Sequence, residues 1–252
     1  MSDRSRLWDD ILLILTMAVL AGCGLIYEYL LSHYAGRVLG IMESTIYAMI
    51  GLMIVAMGLG AFAARKIQCA FNGFVWLELA IAFLGSSSIL IIGGLIALTQ
   101  TFPEILGQMF NLPPDAYPRG GLFKQLSFIA FNSPYFFGLI LGFFIGMEIP
   151  LIASVRQLIY KKNLENNVGT LYGADYIGAG VGAAIWVVVM LPLNINDVAL
   201  ITAGVNVFAG ALFLLVFWGE FTRPGLLFVA HGIVVVLLLL MLALGAPWVE
   251  KM

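Results

Sequence analysis

Seven stretches of the chain are predominantly apolar over about twenty or more positions, and this feature constrains the fold most. A helix needs roughly 20 such residues to cross a bilayer. The runs are continuous rather than alternating, so membrane-spanning strands are not expected. Only 10% of residues are charged, against about 25% in soluble domains. We therefore predict an all-α, polytopic transmembrane helical bundle that forms one integral membrane domain over residues 1–252. The predicted spans are about 11–33, 43–64, 73–99, 126–153, 169–191, 197–218 and 225–246.

Basic residues are unevenly distributed over the loops, and this predicts an orientation. Cytoplasmic loops of membrane proteins carry an excess of Lys and Arg. Most basic residues fall on one side if the N-terminus is cytoplasmic, which places the C-terminus outside and favours a bacterial inner membrane. The predicted inner side holds Arg4, Arg6, Arg65, Lys66, Arg156, Lys161, Lys162 and Arg223, and the outer side holds Arg37, Arg119, Lys124 and Lys251.

The longest predicted loop, about 100–125, contains TFPEILGQMFNLPPDAYPRGG. Its Pro and Gly residues predict an ordered or partly helical outer cap rather than a domain. The first apolar run is long, lacks a small-residue cleavage site and is followed by further spans. We therefore expect no signal peptide.

Three carboxylates from three predicted spans fall at a similar depth. With the helical rise per residue, Glu78 lies roughly 8 Å, and Glu148 and Asp175 roughly 12 Å, from the inner ends of their spans. Ionisable residues inside a membrane are costly and usually functional. The grouping indicates an acidic vestibule facing the cytoplasm, where a bound polyamine or other organic cation keeps the acids ionised. The alternative is structural: the acids are protonated, or bonded to helix ends and basic neighbours. The basic residues that could bond to the acids are Arg65, Lys66 and Arg156.

Glu28 lies towards the opposite end of the first span, before His33 and Arg37. We expect a structural ion pair of Glu28 with Arg37 or His33 at the outer rim, with a gate on a permeation path as the alternative. Gly36 and Gly40 flank Arg37, where the helix could break. His231 in the seventh span is expected to be a packing residue rather than a proton carrier.

Two sets of glycines at about every fourth position predict helix faces that allow close backbone contact. Each face has an acid nearby, Glu148 after the first and Asp175 within the second. Pro150 removes a backbone donor and loosens the helix beyond Glu148. Tyr172 and Tyr176 flank Asp175 and join Glu28, Glu78, Glu148 and Asp175 as candidate ligand-binding residues. The glycines are Gly138, Gly142 and Gly146 in the fourth span and Gly169, Gly173, Gly178 and Gly182 in the fifth.

Several functional classes have no support in the sequence. The net charge of −2 and the absence of a basic stripe argue against nucleic acid. Cys23 and Cys69 lack metal-ligand spacing, so we expect no metal. No catalytic triad motif, nucleotide loop or other cofactor motif is present.

Five motifs occur in an order that resembles a known family. They are GLIYEYLLSHYAGRVLG, GLMIVAMGLGAFAAR, FVWLELAIAFLG, GMEIPLI and LYGADYIGAGVGA followed by LP. Together they resemble the membrane domain of membrane-bound spermidine synthase-like proteins, relatives of the polyamine aminopropyltransferases. In that family a soluble domain follows, which binds decarboxylated S-adenosylmethionine and a diamine. Nothing in this chain corresponds to that domain, so we expect no aminopropyltransferase activity from it. The resemblance implies a link to polyamines.

Three functions therefore compete. The first is binding, and transport as a further step, of polyamines or similar organic cations through the acidic vestibule. The second is a non-catalytic membrane scaffold that docks a separately encoded soluble synthase-like protein or another membrane subunit. The third is an ion channel or proton-coupled carrier that uses Glu28, His231 and the inner acids, although few polar residues bridge them. An enzyme acting within the membrane ranks last.

Overall fold

The computed structural model describes residues 3–113, 116–117, 120–160 and 164–249. Over these ranges the secondary structure comprises eight α-helices and no strand, because the apolar runs satisfy their backbone groups within each helix. Four of the basic residues on which the predicted orientation depends lie outside the described residues. They are Arg119, Lys161, Lys162 and Lys251. The helices are α1 (Asp3–Leu39), α2 (Met42–Ala64), α3 (Ala70–Met109), α4 (Leu122–Ile145), α5 (Glu148–Tyr160), α6 (Leu164–Ile185), α7 (Ile195–Val216) and α8 (Pro224–Val249).

Seven helical stretches in the described part of the chain are long and apolar enough to cross a membrane. They match the seven predicted runs, so the all-helical fold with seven long apolar helices is confirmed. The fourth stretch is α4 and α5 taken together. The fifth is α6 continued by a π-helical turn, Trp186–Met190, where the Leu191 amide donates to the Trp186 carbonyl at 2.8 Å.

The predicted loop 100–125 is shorter than expected. Helix α3 continues through Pro103 to Met109, and α4 begins at Leu122. The residues after Pro103 favour helix, and the Thr101 hydroxyl donates to the Ala97 carbonyl at 2.6 Å, just before the proline. Helix thus occupies both ends of the region predicted as a cap.

The predicted fourth span, 126–153, is divided rather than continuous. Helix α4 ends at Ile145, and α5 begins at Glu148. Pro150 explains the position of the break, since a proline ring clashes with the carbonyl four residues earlier, here that of Gly146. The break places Glu148 in the first turn of α5.

The glycine face of α4 and the part of the second face at Gly178 and Gly182 lie against neighbouring helices. Gly169 and Gly173 do not pack as predicted, since a Cβ on either would meet nothing within 4 Å. A Cβ on Gly182 would lie 2.7 Å from the Cα of Gly22 in α1, and one on Gly142 would lie 2.9 Å from the Met53 carbonyl in α2. Gly178 likewise meets the Ala18 backbone. Gly138 and Gly146 meet α2 at Met49 and Met57. Close approach of this kind holds α1 against α6 and α2 against α4.

One end of the bundle, here called the N-terminal end, collects the start of α1, the turn between α2 and α3, the end of α5 and the turn between α7 and α8. Arg156 donates to Oδ1 of Asp10 at 2.6 and 2.9 Å and to Oδ1 of Asn167 at 2.8 Å, joining α5 to α1 and α6. Asn72 donates to Thr222 at 2.6 Å. Four basic residues from α5 and from the turns that adjoin α2, α3 and α8 lie at this end. They are Arg65, Lys66, Arg156 and Arg223.

Candidate functional site

Glu78 occupies the interface between α3 and α7 and is fully buried. The Asn206 side-chain amide of α7 donates a 2.9 Å hydrogen bond to its Oε2. Oε1 of Glu78 and Oδ1 of Asn206 have no hydrogen-bond partner. The pair is therefore only half satisfied. Oδ1 of Asn206 is an acceptor, and Oε1 of Glu78 accepts when the carboxyl is ionised.

His231 of α8 reaches the same region across Gly210. Its Nδ1 lies 2.9 Å from the Leu227 carbonyl, which can only accept, so Nδ1 carries the hydrogen. Nε2 of the neutral ring is then an acceptor, and it is buried without a partner. A Cβ on Gly210 would lie 3.1 Å from this Nε2 and 3.2 Å from Cβ of Glu78. The absence of a side chain at Gly210 thus brings His231 and Glu78 together.

Glu148 approaches the group from the first turn of α5. Its side chain is 1% exposed, and its Oε1 has no hydrogen-bond partner. The carboxyl lies within electrostatic range of Glu78 and of Asp175. The charges of Glu78 and Asp175, two acids predicted from sequence to share a depth with Glu148, therefore both act on the Glu148 carboxyl.

Tyr27 contributes a hydroxyl from α1. Its ring packs on Gly85 of α3, where any Cβ would overlap it. The hydroxyl is fully buried without a partner and lies within electrostatic range of Glu78 and Glu148. We call Tyr27, Glu78, Glu148, Asn206 and His231 the buried polar cluster.

With both carboxyl groups ionised, the buried polar cluster has a surplus of hydrogen-bond acceptors. In that state the unpartnered atoms of Glu78, Glu148, Asn206 and His231 accept hydrogen bonds, and the Tyr27 hydroxyl can do so as well. Buried polar groups normally have partners, and an unpaired buried charge is very costly. No ion pair reaches these acids from the described side chains. With both acids ionised, a positively charged hydrogen-bond donor would satisfy the cluster.

Arg156 does not provide that charge. It was a candidate partner for the inner acids, but it pairs with Asp10 at 2.6 Å instead. The reason is geometric: Arg156 lies eight residues beyond Glu148 on α5, about 12 Å along the axis. The structural interpretation of the acids through Arg156 is therefore incorrect.

The acids do not form a metal centre. Among the described residues, no three His, Cys, Asp or Glu side chains are grouped closely enough to hold one metal ion. The carboxyls of Glu78, Glu148 and Asp175 thus lie near one another without converging on a single point.

The remaining candidate ligand residues on α6 lie at the edge of the cluster. Asp175 is partly buried. Tyr172 and Tyr176 are 45% and 72% exposed, and their rings stack on each other with centroids 6.4 Å apart. The tyrosines therefore face away from the buried acids.

The predicted ion pair of Glu28 does not form. Helix α1 is continuous to Leu39, so Arg37 lies nine residues, or about two and a half turns, from Glu28 and on the opposite face. Arg37 is exposed, whereas Glu28 is buried. His33 makes an edge contact with Trp186 at 6.1 Å between ring centroids. The described residues hold no salt bridge to Glu28.

Sequence reasoning identified Glu78, Glu148 and Asp175 but not the rest of the cluster. In the sequence Tyr27 and Asn206 resemble ordinary span residues, and His231 is predicted to be a packing residue. The available signal was a polar side chain inside each apolar run. Only the packing of the helices shows that Asn206 bonds to Glu78, that His231 lies across Gly210 from Glu78, and that Tyr27 and Glu148 are within electrostatic range of it.

Comparison with known proteins supports the resemblance seen in the motifs. The chain is 55% identical over 249 residues, 99% of its length, to a polyamine aminopropyltransferase of Shewanella oneidensis, of which it covers 43%. It is 32% identical over 228 residues to polyamine aminopropyltransferase 2 of Streptomyces coelicolor, covering 87% of this chain and 37% of that one. A polyamine aminopropyltransferase of Mycobacterium tuberculosis is 28% identical over 221 residues, 84% of this chain and 36% of the relative.

The chain spans less than half the length of these curated relatives. No family model matches it, and no solved structure is significantly similar to it. Similarity to polyamine aminopropyltransferases is thus confirmed over nearly the whole of this chain.

Proposed function

We propose that this chain is a membrane-spanning module that binds an aliphatic polyamine through its buried polar cluster. The observation that carries the proposal is the pair of buried acids, Glu78 and Glu148, each with one oxygen that lacks a partner. A protonated amine supplies what these oxygens need, since each ammonium group combines a positive charge with N–H donors.

The donor requirement favours amines over other cations. Asn206 and His231 offer two further acceptors beside Glu78. A quaternary ammonium has no N–H with which to satisfy them. A metal ion is disfavoured because the acids do not converge on one point. An extended molecule can instead present one ammonium to Glu78 and another to Glu148.

The names of the relatives support the same ligand class, because each is a polyamine aminopropyltransferase. Those proteins are more than twice as long as the part matched here. We place any aminopropyl transfer in sequence outside these 252 residues, either continuous with this chain or in a separate protein that it docks. In this proposal the chain binds polyamine in the membrane beside the catalytic part.

The proposal sets the seven apolar helices in a bacterial inner membrane with the N-terminal end of the bundle in the cytoplasm. Basic residues at that end support the orientation, because positive residues concentrate on the cytoplasmic side. Arg65, Lys66 and Arg223 all follow or precede apolar helices there. The cluster would then lie within the membrane, where unpaired carboxylates are especially costly.

Spermidine binding to the purified protein in mild detergent at low salt tests the proposal. We expect saturable binding, of which the component at the buried polar cluster is lost in Glu148→Gln and in Glu78→Gln. Glu43→Gln is the matched control, since Glu43 is exposed at the start of α2. Tetramethylammonium should not compete, because it has no N–H donor. Equal affinity in wild type and both cluster variants would contradict the proposal, and no binding by any of them would favour the scaffold function.

A further inference from the structure

A second cavity lies at the N-terminal end of the bundle, away from the buried polar cluster. Its volume is about 300 Å³, at the lower limit of the roughly 300–1,000 Å³ typical of small-molecule sites. Helices α1, α3 and α5 and the turn after α7 each contribute to its wall. The lining residues include Asp9, Phe71, Leu158, Ile159, Phe217 and Glu220.

The cavity wall combines negative charge with an apolar surface. Asp9 and Glu220 are the charged residues among the described lining, and none of that lining is basic. The neighbouring Asp10 is the partner of Arg156, so that guanidinium is already engaged. Phe71 and Phe217 pack with ring centroids 5.8 Å apart and supply aromatic surface. Such a wall suits an alkyl chain that ends in a cation, because aromatic rings and carboxylates both attract ammonium groups.

The cavity and the buried polar cluster lie along the same interface of α3 with α7. Phe71 precedes Glu78 by seven residues, which puts both on one face of α3, about 10 Å apart along the axis. The chain of α7 and the turn after it runs antiparallel to α3. Phe217 therefore lies beside Phe71, and Asn206 lies beside Glu78. The cavity is therefore in line with the cluster.

Two phenylalanine rings separate the cavity from the cluster. Phe74 and Phe213 lie between them on α3 and α7, with ring centroids 4.5 Å apart, and both are almost fully buried. Phe213 also contacts Phe217 at 4.9 Å, so the aromatic contacts continue to the cavity wall. A ligand moving along this interface would have to part the rings of Phe74 and Phe213.

We propose that this cavity is a second binding site, in which Asp9 and Glu220 bind an ammonium group of an aliphatic diamine and Phe71 and Phe217 contact its alkyl chain. It is the outer of two sites in series, where outer means nearer the protein surface and not the outer side of the membrane. Phe74 and Phe213 form the partition between the two sites. The assignment of the inner site rests on the proposed function, whereas the outer site stands on its own cavity and charges.

Counting bound ligand separates the two sites. The probe is radiolabelled 1,4-diaminobutane in equilibrium dialysis with purified full chain, because a short diamine cannot bridge both sites. We expect two molecules per chain in wild type and one in the double variant Asp9→Asn, Glu220→Gln. Glu148→Gln should also retain one. Glu43→Gln, with its exposed carboxylate, should retain two.

The outcomes distinguish failure of the outer site from failure of the proposed function. Unchanged binding in the Asp9→Asn, Glu220→Gln variant would overturn the outer site. A single site that is lost in that variant but kept in Glu148→Gln would support the outer site and contradict the proposed inner one.

A second measurement detects the outer site without reference to stoichiometry. Gly219 is exposed beside the cavity, and a Cβ there meets nothing within 4 Å. Gly219→Cys can therefore be labelled with a maleimide after Cys69 is replaced by Ser. We expect 1,4-diaminobutane to slow the labelling several-fold, and to lose this effect when Asp9 and Glu220 are neutralised. Labelling that the diamine leaves unchanged would contradict the site.

Discussion

The side-chain amide of Asn206 donates a 2.9 Å hydrogen bond to Oε2 of Glu78 across the interface of α7 with α3. Both residues are almost fully buried, and the bond holds the Glu78 carboxyl in one orientation while its second oxygen remains without a partner. A buried acid that is oriented but incompletely satisfied is the central feature of the proposed polyamine site.

Removing this hydrogen bond should weaken ligand binding. Asn206→Ala deletes the donor that orients Glu78 and one acceptor of the cluster. Hydrogen bonds to charged groups contribute about 1.5–3 kcal/mol, so we expect spermidine affinity to fall by about tenfold or more. Asn132→Ala is the control, because Asn132 is exposed and bonds only to the Phe128 carbonyl of its own helix. Equal affinities in the two variants would contradict the role given to Asn206.

The contact of α6 with α1 should tolerate no side chain at Gly178. A methyl group there would overlap the Ala18 backbone, and overpacking of this kind costs about 1–3 kcal/mol. Gly178→Ala should therefore lower the Tm in detergent, followed by circular dichroism. Gly180→Ala, two residues along the same helix, meets nothing within 4 Å and should leave the Tm unchanged or raise it. A lower Tm in both variants alike would mean that the close approach is not the cause.

The contact between Arg156 and Asp10 should stabilise the N-terminal end of the bundle. Arg156→Gln removes the ion pair and leaves Asp10 and Asn167 without their donor. We expect a loss of about 2 kcal/mol or more in the free energy of unfolding. Asp10→Asn in the Arg156→Gln background should cost much less than Asp10→Asn alone, since the partners share one interaction. Strictly additive losses in this double-mutant cycle would refute the coupling.

Thinning the aromatic partition should speed ligand exchange at the inner site. Phe213→Leu keeps an apolar residue but removes the ring that contacts Phe74 at 4.5 Å. We expect several-fold faster dissociation of spermidine in a filter-chase assay, with a smaller change in affinity. Phe208→Leu on the same helix is the control, because Phe208 is 67% exposed. An unchanged dissociation rate would remove Phe213 from the proposed route.

The orientation in the membrane can be tested with cysteines. Cys69 lies partly exposed before α3 at the N-terminal end, while Glu43 lies exposed at the other end of α2. An impermeant maleimide should label Cys69 only in inside-out vesicles. Glu43→Cys in a Cys69→Ser background should be labelled only in right-side-out vesicles. The reverse pattern would invert the proposed topology.

Much of the fold could be predicted from the sequence, because apolar runs of sufficient length are helical wherever water is excluded from the backbone. The seven runs and the helix faces bearing Gly142 and Gly182 are local features with a fixed period. Helix ends were less predictable. Pro103 lies within α3, whereas Pro150 coincides with a break, since neighbouring residues decide whether a proline is accommodated.

The candidate site, like the fold, was predictable from the sequence only in part. The sequence by itself determined that Glu78, Glu148 and Asp175 lie in apolar helices. It also predicts that they share a depth, because the position along a helix depends only on the rise per residue. Tertiary structure decided which side chains face each other, since that depends on the rotation and pairing of helices distant in sequence. The continuity of α1 beyond Gly36 keeps Glu28 and Arg37 on opposite faces of one helix, and the packing of α5 against α1 pairs Arg156 with Asp10. The antiparallel packing of α7 on α3 places Asn206 beside Glu78 and Phe213 beside Phe74, contacts that no spacing along one helix can encode.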